Sequence, residues 1–265
     1  ISPSDITSSL KEITSGATSA LDQIEVSDYS ASDLGEMVQE ISSGATQALG
    51  NIEIDGISSD NRSSMIEKVT AGATGALGQI SMEGYSTSNL TTMLSKITSG
   101  ATSALGDIEM EGYSSNNLSL MVEKITAGAT SALDEIQLEG FSSDNLSSMV
   151  QEITSGATGA LDEIEMAGFD PSTDVFSMTE KVILGTTGAL SEIEMEGYES
   201  DDLEGMIEGV TTGAMSAINE LQSAGLDQNN MSNMMKSISS SASKGLSRLE
   251  NSKLLDNASK LPGLL

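Results

Sequence analysis

The sequence predicts an all-α protein of tandem 28-residue repeats, with one long helix per repeat and nine antiparallel helices in an up-and-down array, either a solenoid or an elongated bundle. Three observations carry this reading. The first is the period. The motif ITSGATSAL at Ile13 returns in variant form at Ile41, Val69, Ile97, Ile125 and Ile153, each 28 residues on. Val182 follows after 29, because the Asp170-Pro171 segment holds one residue more, and Val210 and Ile238 restore the spacing of 28. Self-similarity at a fixed period of this size marks a repeat architecture.

The second observation is the apolar pattern inside one copy. Leu146, Met149, Val150, Ile153, Ala157, Ala160, Leu161 and Ile164 recur at intervals of three and four, which is one stripe of a helix and not the alternation of a strand. The phase runs unbroken through Gly156, so each copy is one helix, here from about Ser143 to Met166.

The third is the punctuation. Ser142 is placed to cap the helix N-terminus, with Phe141 and Leu146 at the spacing of a hydrophobic staple and Asp144 in the first turn, where the helix dipole favours an acid. Gly140 and Gly168 follow helix ends, as left-handed C-terminal residues do. Asp170-Pro171 and Ser2-Pro3 place proline at the first helical position, where its missing N–H costs nothing. With only a few residues between helices, neighbours are expected to pack antiparallel.

The array spans 1–251, with copy boundaries near 29, 57, 85, 113, 141, 169, 198 and 226, and 252–265 form a basic and apolar tail. Gly16, Gly44, Gly72, Gly100, Gly128, Gly156, Gly185 and Gly213 occupy one repeat position, replaced by Ser241 in the last copy. A mid-helix glycine costs about 1 kcal/mol against alanine, so its recurrence points to close approach of helix backbones. Met37, Met65, Met93, Met121, Met149, Met178, Met206 and Met234 recur on the stripe and read as core.

The 265-residue chain contains no Cys, His or Trp. Disulfides, Cys/His zinc sites and His-dependent nucleophilic triads are therefore excluded. The carboxylates that could serve a glycosidase recur in every copy on exposed helix ends, whereas an active site is singular, so the protein is read as not an enzyme and as holding no resident cofactor. Six Lys/Arg against thirty-eight Asp/Glu give 1–235 a charge of −32, whereas five Lys/Arg against two acids give 236–265 a charge of +3. Such a body repels phosphate, which argues against nucleic acid and against anionic lipid.

The acidic loops offer one candidate metal site, weak Ca²⁺ binding by Asp134, Glu135, Glu139, Asp162, Glu163 and Glu165, without any EF-hand loop. Asn61, Asn89, Asn117, Asn145, Asn230 and Asn257 begin glycosylation sequons, usable only in a eukaryotic secretory pathway, and otherwise read as polar residues beside helix caps.

The function expected from these features is that of a non-enzymatic structural or interaction repeat protein, exported or surface-associated: a spacer, an adhesin segment or a filament subunit. The chain starts at Ile1, which points to a processed product or a piece of a longer protein. Self-association is expected head to tail, as a homo-oligomer or filament, through Ile6, Leu10 and Ile13 of the first helix and Met234, Met235, Ile238, Lys244 and Arg248 of the last. Two other readings are a lipid- or membrane-active amphipathic protein, disfavoured by the acidic faces, and an acidic Ca²⁺-binding module.

Overall fold

The computed structural model describes residues 2–24, 29–52, 57–80, 86–108, 113–136, 142–164, 171–193, 200–221 and 228–259. Among these residues there are nine α-helices and no strand: α1 Pro3–Ser19, α2 Ala31–Ala48, α3 Ser59–Ala76, α4 Thr87–Ser103, α5 Ser115–Ser131, α6 Ser143–Gly159, α7 Pro171–Leu190, α8 Ser200–Leu221 and α9 Gln228–Ser259. They form the antiparallel up-and-down array that the repeat implies. Gly140, Phe141 and Gly168 lie outside the described residues.

α1 to α6 each start at a reciprocal cap. Ser58 N–H donates to Asn61 Oδ1 at 3.2 Å, and Asn61 N–H donates back to Ser58 Oγ at 3.2 Å. Ser114 with Asn117 and Ser142 with Asn145 repeat the arrangement, while Ser2 and Ser30 use Asp5 and Asp33. Each box satisfies two of the helix's orphan N–H groups. This is what the sequon asparagines of these copies do in the fold.

α1 to α7 end earlier than the apolar stripe, whereas α8 and α9 do not. α6 stops at Gly159 and continues as a 3-10 turn over Ala160–Glu163, and α1, α3, α4 and α5 end the same way. A 3-10 turn has three residues per turn, so Leu161 and Ile164 stay on one side and both are buried. The apolar stripe read from the sequence is the core: Leu146, Met149, Val150, Ile153, Ala157, Ala160, Leu161 and Ile164 are all buried. The same positions in the other inner copies join one continuous cluster running from Leu21 to Leu249.

The largest interfaces join helices two apart in the chain, not chain neighbours. α1, α3, α5, α7 and α9 stack in one layer and α2, α4, α6 and α8 in the other, with α9 leaning also on α8. Within a layer the helices run parallel, because partner numbers rise together. Gly35 packs on Lys96, Gly100 on Gln39, and Gln47 Nε2 donates to Asp107 Oδ2 at 2.6 Å.

Candidate interaction surface: the two ends of the array

The recurrent glycine sets how each helix sits on the one two before it. A Cβ on Gly72 would lie 2.6 Å from the Lys11 carbonyl oxygen, and one on Gly100 would meet the Gln39 carbonyl. Gly128 faces the Glu67 carbonyl, Gly156 that of Ser95, Gly185 that of Glu123 and Gly213 that of Gln151. In every pair the carbonyl belongs to the residue five before the preceding helix's own glycine. Only glycine permits this approach.

Around that contact a small set of polar links repeats. Ser42 Oγ donates to the Ile97 carbonyl at 3.0 Å and Thr126 Oγ1 to the Val182 carbonyl at 3.2 Å, across the layer. The residue four before a glycine reaches the residue five before its predecessor: Lys124 pairs with Glu67 and Lys181 with Glu123, each at 2.7 Å. The Glu67 carboxylate beside Lys124 holds its ammonium above the usual lysine range. In α6 the same place holds Glu152, which bonds Ser95, and burial raises its carboxyl above the ordinary range.

The first two helices have no predecessor, and their contact faces are open. Nothing lies within 4 Å of where a Cβ would stand on Gly16 or Gly44. Ile13 is 65% exposed, whereas its counterparts Val69, Ile97, Ile125, Ile153, Val182, Val210 and Ile238 are all 0% exposed. Gly16, Ala17, Ala20, Gly44 and Ala48 are exposed beside it, and Ile6, Leu10 and Ile41 are half-buried.

The opposite end shows the face that every inner helix offers to its successor. On α8 it comprises Glu204, Glu208, Thr212 and Met215, all exposed, and on α9 Lys236, Ser239 and Ser243, also exposed. Of the residues expected to mediate self-association, Met234 and Ile238 point into the core, at 1% and 0% exposure, so they hold α9 in place. Met235, Lys244 and Arg248 are on the surface, with Lys244 Nζ 3.8 Å from Glu180 Oε1. A shallow groove between α7 and α9 is lined by Phe176, Glu180, Asn233, Lys236 and Lys244.

Of the six candidate calcium ligands, the four that are described are not gathered into one group. Asp134, Glu135, Asp162 and Glu163 are exposed at the 3-10 turns, and Glu139 and Glu165 lie outside the described residues. Glu135 reaches across Gly75 to Lys11, at 2.7 Å. Among the described residues there is no group of three acidic side chains placed to hold a metal ion, and no helix is long and apolar enough to cross a membrane.

What fold and surface together define is a two-layer helical-repeat array, open at one end. No protein-family model matches the chain, and no curated protein matches it. Among solved structures, it is similar to a chain described as "Computational Design of Self-Assembling Cyclic Protein Homooligomers", with 12% identity, a TM-score of 0.39, and 94% of this chain and 98% of that chain covered.

Proposed function

We propose that the protein is a non-enzymatic structural repeat protein that self-associates head to tail, and that it serves as a rod-like spacer or filament subunit in an extracellular or cell-surface setting. One observation carries the reading: Ile13 is 65% exposed at the open end, while the residue in that position of every copy from the third onward is buried. A helix face of this composition is covered wherever the chain has a helix to cover it. Complete burial of an isoleucine is worth about 1.5–3 kcal/mol, so the uncovered end favours association. The acidic surface elsewhere keeps such a rod from clumping sideways.

The test is sedimentation velocity over a wide concentration range at about 0.15 M salt, where charge interactions reach only ~8 Å, with electron microscopy of the same samples. Self-association predicts a sedimentation coefficient that climbs with concentration and particles that grow lengthwise. A monomer at every concentration contradicts it.

A further inference from the structure

Resting on that self-association, we infer that the junction has one register: α1 of an incoming copy lies on α8, α2 lies on α9, and Glu40 of the incoming copy pairs with Lys236.

The described helices are odd in number, so the two layers end one step apart. Within each layer a helix stacks on the one two before it, so the next vacant places are on α8 and then on α9. A copy moved along the array without rotation would set its α1 on α9 and leave the place on α8 empty. A copy also turned by half a revolution about the long axis fills both places in order. The half-turn reverses its helix directions, so α1 runs parallel to α8 and α2 parallel to α9, as in every inner pair. A contact of this heterologous kind does not close on itself, so it extends into a filament.

The repeat register then names the contacts. The glycine of each successor meets the carbonyl five before its predecessor's repeat position, as Gly156 meets Ser95. At the junction Gly16 therefore meets the carbonyl of Glu208, and Gly44 that of Lys236. Thr187 of α7 packs on Gly245 of α9; the same step sets Met215 against Ala20. Met215 stands where six inner copies have a buried threonine, and it is 36% exposed with nothing stacked on α8. The thioether suits an apolar, adaptable contact.

The two registers bring different charged residues together, so an experiment can tell them apart. Inside the array the pair is a lysine on the successor and a glutamate on the predecessor, Lys124–Glu67 and Lys181–Glu123. At the junction the signs are exchanged: Glu40 on the successor, Lys236 on the predecessor. The α1 side sets Glu12 near Glu208, a like-charge pair that holds the junction below its full strength. Simple translation would instead bring Glu12 to Lys236.

The experiment uses the full chain, with isotope-labelled and unlabelled copies mixed and joined by a carbodiimide, which links a carboxylate to a touching amine. The expected product is a Glu40–Lys236 peptide pair carrying one labelled and one unlabelled half. In parallel, Glu40→Lys and Lys236→Glu are each expected to weaken association about three-fold, and the double exchange to restore it, as suits a partly exposed ion pair. Glu12→Lys is expected to tighten it by a similar factor. A Glu12–Lys236 link, a Glu40–Lys236 link within a single chain, or no rescue by the double exchange overturns the register while leaving self-association standing. A wild-type chain that does not associate removes both.

Discussion

Gly156 of α6 lies against the carbonyl oxygen of Ser95 in α4, so near that a Cβ at 156 would overlap it. The contact explains why a residue that weakens isolated helices is written into the middle of eight of them. Glycine brings two parallel backbones together, and the surrounding Ala and Thr side chains fill the narrow space. Exposed Gly16 and Gly44 carry the same residue without the neighbour that requires it.

A row of buried hydroxyls accompanies the glycines. Thr18, Thr46, Thr74, Thr102, Thr130 and Thr158 sit two residues after the glycine, and their Oγ1 atoms are buried without a hydrogen-bond partner. By contrast Thr98 Oγ1 donates to the Leu94 and Ser95 carbonyls, both at 3.1 Å. An unpaired buried hydroxyl carries a desolvation cost that a methyl of the same shape does not. Thr102→Val is therefore expected to stabilise the fold by about 1 kcal/mol and Thr98→Val to destabilise it by a similar amount. Urea unfolding of the two variants checks the opposite signs.

The caps differ along the chain in a way pH can read. Asp5 and Asp33 occupy the place that Asn61, Asn117 and Asn145 hold in later helices. Hydrogen bonds from the Ser2 and Ser30 hydroxyls, then from their backbone N–H groups, hold these carboxyls below their ordinary value of 3.8. A lowered folded value means that the caps contribute stability above the unfolded value, lost as pH falls through the folded one. Carboxyl carbon NMR titration should place both midpoints under 3.8; midpoints at or above it would show that the boxes are not formed in solution.

Glu152 has the reverse sign. Burial raises its carboxyl above the ordinary 4.5, opposed by the bond to Ser95. The folded state therefore disfavours the charged form at neutral pH, and the deficit fades as pH falls through the raised value. Glu152→Gln should raise the melting temperature at pH 7 and change it little near pH 4, below that value. An equal shift at both pH values would mean that charge is not the cause.

Much of this architecture is legible in the sequence. The period, the stripe from Leu146 to Ile164, the serine caps and the proline starts all come from local patterns with a fixed physical meaning. The glycine's role is legible too, because its cost needs a compensating approach. Which helix it approaches is not. The carbonyl of Ser95 is distant from Gly156 in the chain, and nothing local distinguishes a partner one helix away from a partner two away. The tightened ends at Ala160–Glu163 are hidden for a related reason: spacings of three suit both helix types over a single turn. At the candidate surface, Ile13 could be recognised as an uncapped end because its helix keeps the full apolar pattern. Met234 and Ile238 share that pattern, and only the packing of α9 on α7 shows them to be buried. Glu40 and Lys236 could have been singled out only by comparing charge at equivalent repeat positions once the register was known.

The most direct measurement is a pair of glycine-to-alanine variants followed by calorimetry and sedimentation. In an uncrowded helix the change stabilises by about 1 kcal/mol, and in a crowded one forcing a methyl into the contact costs roughly 1–3 kcal/mol. Gly156→Ala is expected to lower the melting temperature. Gly44→Ala, measured on dilute monomer, is expected to raise it, and the same variant to associate more weakly than wild type as concentration grows. Melting shifts of the same sign for both variants, or undiminished association of Gly44→Ala, would show that the glycine does not set the contact between helices.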